Sequence, residues 1–369
     1  MLNIYDGELV DTTYSVLADL STLARTTGHA FIAIANGHGA WEMAITNTLS
    51  RGDKVLVLAS GHFAPAWGGL ATALGIEVEV LPGTLCDPVD PAAVERRLAA
   101  DSGHEFAAVL VVQIDTGTSV HNDIRAIRAA IDAAGHPALF MVDCIASLGS
   151  VPFEMDAWGV DVTVAATQKG LMVPPGLGFV WANDKAWEAY HRSDLHTGYW
   201  DWGPRADPNA AHYYRFAGTP PVSHLFGLRT ALDMLLFEEG LQAAWHRHDV
   251  LARSVHAAID AWATSTDLRI NIAEPTARAA TVTTILTPTT DADALRSLCE
   301  ARAGLTLGQA VGGLVGQGFR IGHMGHLNAP MLLGTLGTIE AALLAQGATI
   351  EQSGVAAAAA VVGAELAAR

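Results

Sequence analysis

The stretch AFIAIANGHGAWEMAITNTLSRGDKVLVLA, residues 30–59, changes its periodicity twice. Ala30-Phe31-Ile32-Ala33-Ile34-Ala35 is a continuous apolar run of strand length, and residues 54–59 form a second. Between them, after the small-residue turn Asn36-Gly37-His38-Gly39, residues 40–49 carry apolar side chains at helical spacing. Buried strand, helix, buried strand is the βαβ unit, which builds a parallel sheet. Working outward, strand patterns recur at 76–81, 106–112 and 138–143, with helical patterns at 65–74, 91–99 and 124–134. Two further strand candidates, 161–165 and 178–181, follow. The alternation predicts an α/β fold: a mainly parallel sheet covered by helices on both faces, with ligands at the carboxyl ends of its strands.

Beyond residue 222 the pattern becomes long and helical, with Leu225, Leu228, Leu232, Leu235 and Leu236 on one stripe before a turn at Glu239-Gly240. Strand patterns at 269–272, 280–286 and 319–322, with helices at 291–302 and 329–344, predict a small α+β domain. The alanine-rich tail, 354–369, reads as a helix. The expected division is a large domain over 1–235 and a small one over 236–369.

Half of the 369 residues are apolar and the net charge is −17, which argues against nucleic acid or an anionic membrane as partner, since both need clustered Lys and Arg. No apolar stretch reaches the ~20 residues of a bilayer span, and no leader precedes the first acidic residues, so the expected location is cytoplasmic. Three scattered cysteines, Cys86, Cys144 and Cys299, suit neither a disulfide framework nor a metal site, and no metal is expected.

The chain has only three lysines. Lys54 and Lys185 read as ordinary charges at the start of a strand and of a helix. Lys169 lies between the β-rich run Asp161-Val162-Thr163-Val164-Ala165-Ala166-Thr167-Gln168 and an apolar segment broken by Pro174-Pro175-Gly176. There an ammonium is costly to desolvate; it is either a snorkelling lysine at a strand end or a Schiff-base nucleophile. Five other features fall on the same sheet edge or face it. Asp143 ends a buried strand and suits a cationic or N–H partner such as a pyridinium nitrogen, or else caps a helix or pairs with Arg125 or Arg128. The turn at Gly37 and His38 either aims amides at an anion or simply starts a helix. Phe63, after Ser60-Gly61-His62, offers a flat face or is core, and Gln113 to Ser119 supplies hydroxyls. Arg320, in Phe319-Arg320-Ile321-Gly322-His323-Met324-Gly325-His326, is shaped to bind a carboxylate or to make a structural ion pair. His323 and His326 read as supporting or packing residues.

Together, Val142-Asp143-Cys144-Ile145-Ala146-Ser147-Leu148-Gly149, Thr167-Gln168-Lys169-Gly170 with Pro174-Pro175-Gly176, Gly218-Thr219-Pro220-Pro221-Val222 and Phe319-Arg320-Ile321-Gly322-His323-Met324-Gly325 resemble the class V aminotransferases, nearest the alanine–glyoxylate and serine–glyoxylate (serine–pyruvate) group. The likeness runs from about residue 30 to 345. It implies a fold type I transferase, with a seven-stranded, mainly parallel sheet between helices and a small carboxy-terminal α+β domain. It implies pyridoxal 5′-phosphate as cofactor, a small amino acid and a 2-oxo acid as substrates, and a homodimer with shared active sites. Residue by residue, it makes Lys169 the covalent anchor and proton carrier and Asp143 the partner of the pyridinium nitrogen. Phe63 becomes the stacking ring, with Ile145 on the opposite face. The backbone at Gly37 and His38, with Gln168, holds the phosphate, and Thr118 joins the cofactor set. Thr219, with Phe216, serves the neighbouring subunit's phosphate, and Arg320 binds the substrate α-carboxylate. An acidic donor requires a second cation, for which Arg205, Arg215 or a histidine is the candidate. The pocket side near Tyr199-Trp200-Asp201-Trp202 and Tyr213-Tyr214 is aromatic.

Two departures stand out. Members usually open with a Gly-Pro loop before the segment matching Asn3-Ile4-Tyr5-Asp6, and here Met1-Leu2-Asn3 runs almost directly into a helix, so an amino-terminal segment is expected to be missing. The stacking aromatic is Phe63 where Trp or Tyr is usual. The competing readings are a lyase of the same fold, such as a cysteine desulfurase, and a non-catalytic cofactor-binding protein. The first is disfavoured by Gln168 in place of a histidine and by Cys299 lying in a helical pattern; the second by the joint presence of Lys169, Asp143 and Arg320.

Overall fold

The computed structural model describes residues 3–368, so Met1, Leu2 and Arg369, part of the expected opening and tail, lie outside the described residues. The large sheet is built from β1 (His29–Ala35), β2 (Lys54–Leu58), β3 (Glu77–Leu81), β4 (Phe106–Val112), and, after the two-residue strands β5 (Ile114–Asp115) and β6 (Val120–His121), from β7 (Leu139–Asp143), β8 (Val162–Ala166) and β9 (Gly176–Ala182). Its order is β1-β9-β8-β7-β4-β2-β3, with β5 and β6 forming a separate ribbon. Only β9 runs against its neighbours; the remaining pairings are parallel. This is the mainly parallel seven-stranded sheet that the alternation and the resemblance predict.

The period of two along each strand divides the sheet between two cores. Val109, Val111, Phe140 and Val142 pack into one cluster, while Ala108, Leu110, Leu139 and Met141 pack into the other. Because both faces are covered, β7 and β8 are buried at every position, and the strands read as unbroken apolar runs. The helices start where sequence chemistry starts them. Asn36, Asp90, Asp123, Asn183, Asp291 and Asn328 each accept a backbone N–H of the first helical turn.

The helical pattern over 222–264 breaks at Gly240, where the turn is expected, but a π-helical turn precedes it. Val222–Asp233 passes into a π-helical turn, Met234–Glu239, and Gly240 then turns the chain at φ 84 before Leu241–Trp262 begins. Leu225, Leu228, Leu232 and Leu235 are buried along the first helix, as their spacing demands. The second sheet is antiparallel, in the order β10 (Arg269–Ile270), β11 (Val282–Leu286), β13 (Gly318–Gly322), β12 (Gly308–Gln309). Two differences from the expected strands matter for the site. The strand expected over 269–272 stops at Ile270; the Asn271 amide still donates to the Thr284 carbonyl of β11 at 2.9 Å, while its side chain donates to the carbonyls of Leu85 and Thr118 in the large-sheet part of the chain. The edge strand β12 went unpredicted; two residues of Gly and Gln carry no strand signal, and pairing with β13 makes it.

Candidate active site

Asp143 closes β7 opposite Val112 of β4, and Lys169 lies on the turn that follows β8. Both line one cleft, with a cavity volume of about 140 Å³, together with Gly37, His38 and Trp41 from the helix after β1, Phe63 from the helix after β2, and Thr116, Ile145 and Gln168. The cleft thus sits at the carboxyl edge of the parallel strands.

Asp143 is 3% exposed. Its Oδ1 accepts from the Ile145 amide at 2.7 Å and its Oδ2 from the Trp41 indole Nε1 at 2.8 Å. Burial pushes its pKa up to about 7; those two donors and the charge of Lys169 oppose the rise, and the charge of Asp115 adds to it. Pairing with an arginine is not found: Arg125 lies over Trp158 and Arg128 pairs with Asp132. Each Asp143 oxygen accepts one N–H in the cleft wall, which leaves acceptor capacity for a further donor.

The Lys169 amine, Nζ, makes no hydrogen bond or ion pair among the described residues, and only the backbone carbonyl is engaged, by the Met172 amide at 3.1 Å. Burial lowers its pKa and the charge of Arg320 lowers it further, against a smaller upward pull from Asp143. The other two lysines are ordinary, with Lys54 3.2 Å from Glu79 and Lys185 3.0 Å from Asp161. An amine held without a partner in a cleft loses its proton more readily than a surface lysine, the condition for a nucleophile.

The loop after β5, Asp115-Thr116-Gly117-Thr118-Ser119, is organised by a residue that sequence reading did not single out. Asp115 is 0% exposed and accepts from the amides of His62, Phe63, Gly117 and Thr118 and from the Thr118 hydroxyl, at 2.7–3.1 Å. One carboxylate therefore fixes both Phe63 and Thr116. Thr118, expected among the cofactor residues, points inward to Asp115, and it is Thr116 that lines the cleft. Asp followed by Thr-Gly-Thr is an Asx-turn signature, so the signal was present; its reach to residues 62 and 63 was not.

Arg320 stands on β13 opposite Thr284. Its Nε donates to the Gln309 carbonyl of β12 at 2.7 Å and its Nη1 to the Thr116 carbonyl at 2.6 Å. It has no ion pair among the described residues, so the structural-pair reading is not found, and its Nη2 is unspent. Thr284 latches the same loop from the small sheet, through Ser119 at 2.7 Å and the Gly117 carbonyl at 3.1 Å.

Gly37 lies against Ile145: a Cβ there would meet Ile145 Cδ1 at 2.3 Å. The His38 amide is engaged, with that of Gly39, by the Asn36 side chain at 3.0 and 3.3 Å. Gln168 Oε1 is buried in the wall with no hydrogen-bond partner among the described residues. Thr219 is not part of this cleft; it follows Gly218, at φ 152, ahead of the helix that starts at Val222. Phe216 is core. Arg205 and Arg215 are not cations of the cleft. Arg205 is buried and donates to the carbonyls of Ile32, Arg215 and Tyr199, while Arg215 donates to the Arg205 carbonyl and the Tyr14 hydroxyl. His323 packs fully buried between Thr283 and the Ala280 carbonyl. Cys299 is buried on the helix Ala292–Ala303 and burial pushes its thiol pKa up, the opposite of a catalytic thiolate. Among the described residues no His, Cys, Asp and Glu group is arranged to hold a metal ion, and no helix is long and apolar enough to cross a membrane.

Comparison with known proteins gives one pattern. The family model described as aminotransferase class-V matches residues 23–324. The serine–glyoxylate aminotransferase of Methylorubrum extorquens is 42% identical over 340 residues, covering 90% of this chain and 83% of that one. The L-aspartate–glyoxylate aminotransferase of Paracoccus denitrificans is 38% identical, covering 91% and 84%. Among solved structures, pyridoxamine–pyruvate aminotransferase from Mesorhizobium loti superposes with a TM-score of 0.86 at 28% identity, covering 99% of this chain and 92% of that one.

Proposed function

The chain belongs to the class-V aminotransferase family, in its alanine–glyoxylate and serine–glyoxylate group, and from that premise we propose that it moves the amino group of a small neutral amino acid, serine or alanine, to glyoxylate with pyridoxal 5′-phosphate as cofactor. The observation that carries the choice of donor is the count of cations. Among the described residues Arg320 is the guanidinium held beside the cleft with an unspent Nη2; Arg205 is buried on three backbone carbonyls, Arg215 donates to the Arg205 carbonyl and the Tyr14 hydroxyl, and the histidine on the cleft wall, His38, packs its ring on Trp41. One carboxylate is matched; a second, as in aspartate, is left unpaired, which is costly in a buried site.

The residues fit the cofactor. A cleft walled by Trp41, Phe63 and Ile145 carries an unpartnered amine at Lys169 and a buried carboxylate with acceptor capacity at Asp143; Gly37 packs against the Ile145 side chain, and Gln168, whose amide oxygen is unpartnered among the described residues, has its amide Nε2 as the donor a phosphate needs. Pyridoxal phosphate, when bound, supplies an electrophilic carbon and an electron sink for the bonds at the substrate Cα. The protein's own part is then divided. Lys169 anchors the cofactor and, as a neutral amine, takes and returns the Cα proton. Asp143 would hold a positive charge on the ring nitrogen, Phe63 and Ile145 would cover the ring faces, and the backbone at Gly37 and His38, with Gln168, would hold the phosphate, the His38 amide exchanging its bond to the Asn36 side chain for one to the anion. Arg320 sets the α-carboxylate so that the Cα–H bond faces Lys169.

The same reading places the enzyme in the cytoplasm as a homodimer, with Thr219 serving the partner's phosphate site, and puts the domain division at 235/236, within the π-helical turn. A donor panel against glyoxylate tests the proposal. Serine or alanine should give a kcat/KM well above that of aspartate; a preference for aspartate overturns the donor, and no transamination with any donor overturns the whole reading.

A further inference from the structure

Trp41 performs no step in the scheme above, yet it makes the side-chain contact that Asp143 depends on. The two residues are 102 positions apart and meet through a 2.8 Å bond from indole Nε1 to Oδ2. Trp41 is 1% exposed and is held in place by a near-parallel stack on Trp67, with ring centroids 5.8 Å apart at 13°. Its own ring also borders the cleft, beside His38 at 4.5 Å. The indole N–H is a donor only, so it always favours the ionised form of the carboxylate it faces.

We propose that Trp41 is a positioning residue that keeps Asp143 anionic and aims its remaining lone pairs at the ring nitrogen of the bound cofactor. With Ile145 N on Oδ1 and Trp41 Nε1 on Oδ2, the carboxylate plane is fixed from both oxygens. The groups acting against ionisation are burial and the neighbouring Asp115; those acting for it are the two donors and Lys169. The backbone donor cannot be varied by evolution without moving the chain, so the indole is the adjustable one. This inference rests on the pyridoxal phosphate reading of the site.

The test is Trp41→Phe, which keeps an aromatic ring on Trp67 and removes the N–H, made in the full-length enzyme with and without Asp143→Asn. Three readouts apply. The cofactor dissociation constant of W41F should rise roughly tenfold to hundredfold, the worth of a hydrogen bond to a charged group. In the cofactor-stripped full chain, the loss of thermal stability caused by W41F should grow between pH 5 and pH 9, because the indole bond matters most to the ionised carboxylate. In the D143N background that pH-dependent growth should vanish. A W41F loss of stability that is the same at every pH, with cofactor affinity unchanged, is a packing effect and overturns the proposal. If W41F does not fold, indole-15N labelling of the parent and D143N enzymes replaces it. One of the nine indole resonances should move between the two, and no movement overturns the proposal. A parent enzyme that takes up no pyridoxal phosphate at all instead refutes the functional reading on which the inference stands.

Discussion

At the residue scale the chemistry rests on charges placed where water is scarce. Lys169 is an amine without a partner, so its removal should not cost stability. With the cofactor stripped from both proteins, Lys169→Ala is expected to melt at or above the parent temperature, since an unpaired buried polar group is relieved, while transamination by the reloaded protein falls to background. Retained turnover, or a melting temperature several degrees lower, would contradict this assignment. Arg320 acts differently. Its Nη1 braces the Thr116 carbonyl and its Nη2 remains for substrate, so Arg320→Ala should raise KM for the amino donor, by ~2–5 kcal/mol in binding terms, more than it lowers kcat. Steady-state kinetics with serine separate the two, and an unchanged KM counts against the role. Lys169 and Asp143 were legible in the sequence because a strand end in a parallel sheet is a place, not merely a composition. Trp41 and Asp115 were not, because what they do lies in bonds across 102 and across 52–53 residues of chain.

At the scale of elements, the loop after β5 and the helix starting at Phe63 act as one unit through Asp115. Gly61 shows how tightly it is closed: its φ is +94, and a Cβ would lie 2.3 Å from Asp115 Cγ. Gly61→Ala should therefore cost ~1–3 kcal/mol in chemical denaturation and weaken cofactor retention as Phe63 shifts; a neutral substitution would show that the loop yields. The helix after β1 is capped by Asn36 at the amides of His38 and Gly39. Asn36→Ala is expected to lower stability by ~1 kcal/mol, measured by urea unfolding. Elements of this part of the fold were largely readable, since apolar runs and Asn or Asp caps are local signals. The strand β12 and the π-helical turn at Met234–Glu239 were not, as the first exists through its pairing and the second through a local change of hydrogen-bond step.

At the scale of the molecule, three histidines lie in the carboxy-terminal part of the chain: His248 and His256 on the long helix Leu241–Trp262 and His323 just after β13, with His248 and His323 buried and His256 half-buried. Burial holds the pKa of His248 and His256 down at about 4 and of His323 at about 3. The unfolded chain takes up these protons near pH 6.5, the folded one only well below, so their contribution is complete above pH 6.5 and drains as pH falls toward 4. Asp143, raised to about 7, runs the other way over the same window, as one group against three. The melting temperature should accordingly fall between pH 6.5 and 4.5, and a flat or rising profile would refute the balance. The sequence by itself determined the α/β layering, the strands and capped helices that make it, and the edge on which Lys169 and Asp143 stand, because hydrophobic period and end signals act within a few residues. Only the tertiary structure decided that Asp143 leans on Trp41, that Thr116 rather than Thr118 faces the cleft, that Arg205 and Arg215 are spent away from it on carbonyls and the Tyr14 hydroxyl, and that the small sheet latches the loop after β5. Those outcomes depend on which groups meet after the chain has closed on itself, and burial and hydrogen bonding settle them only at that point.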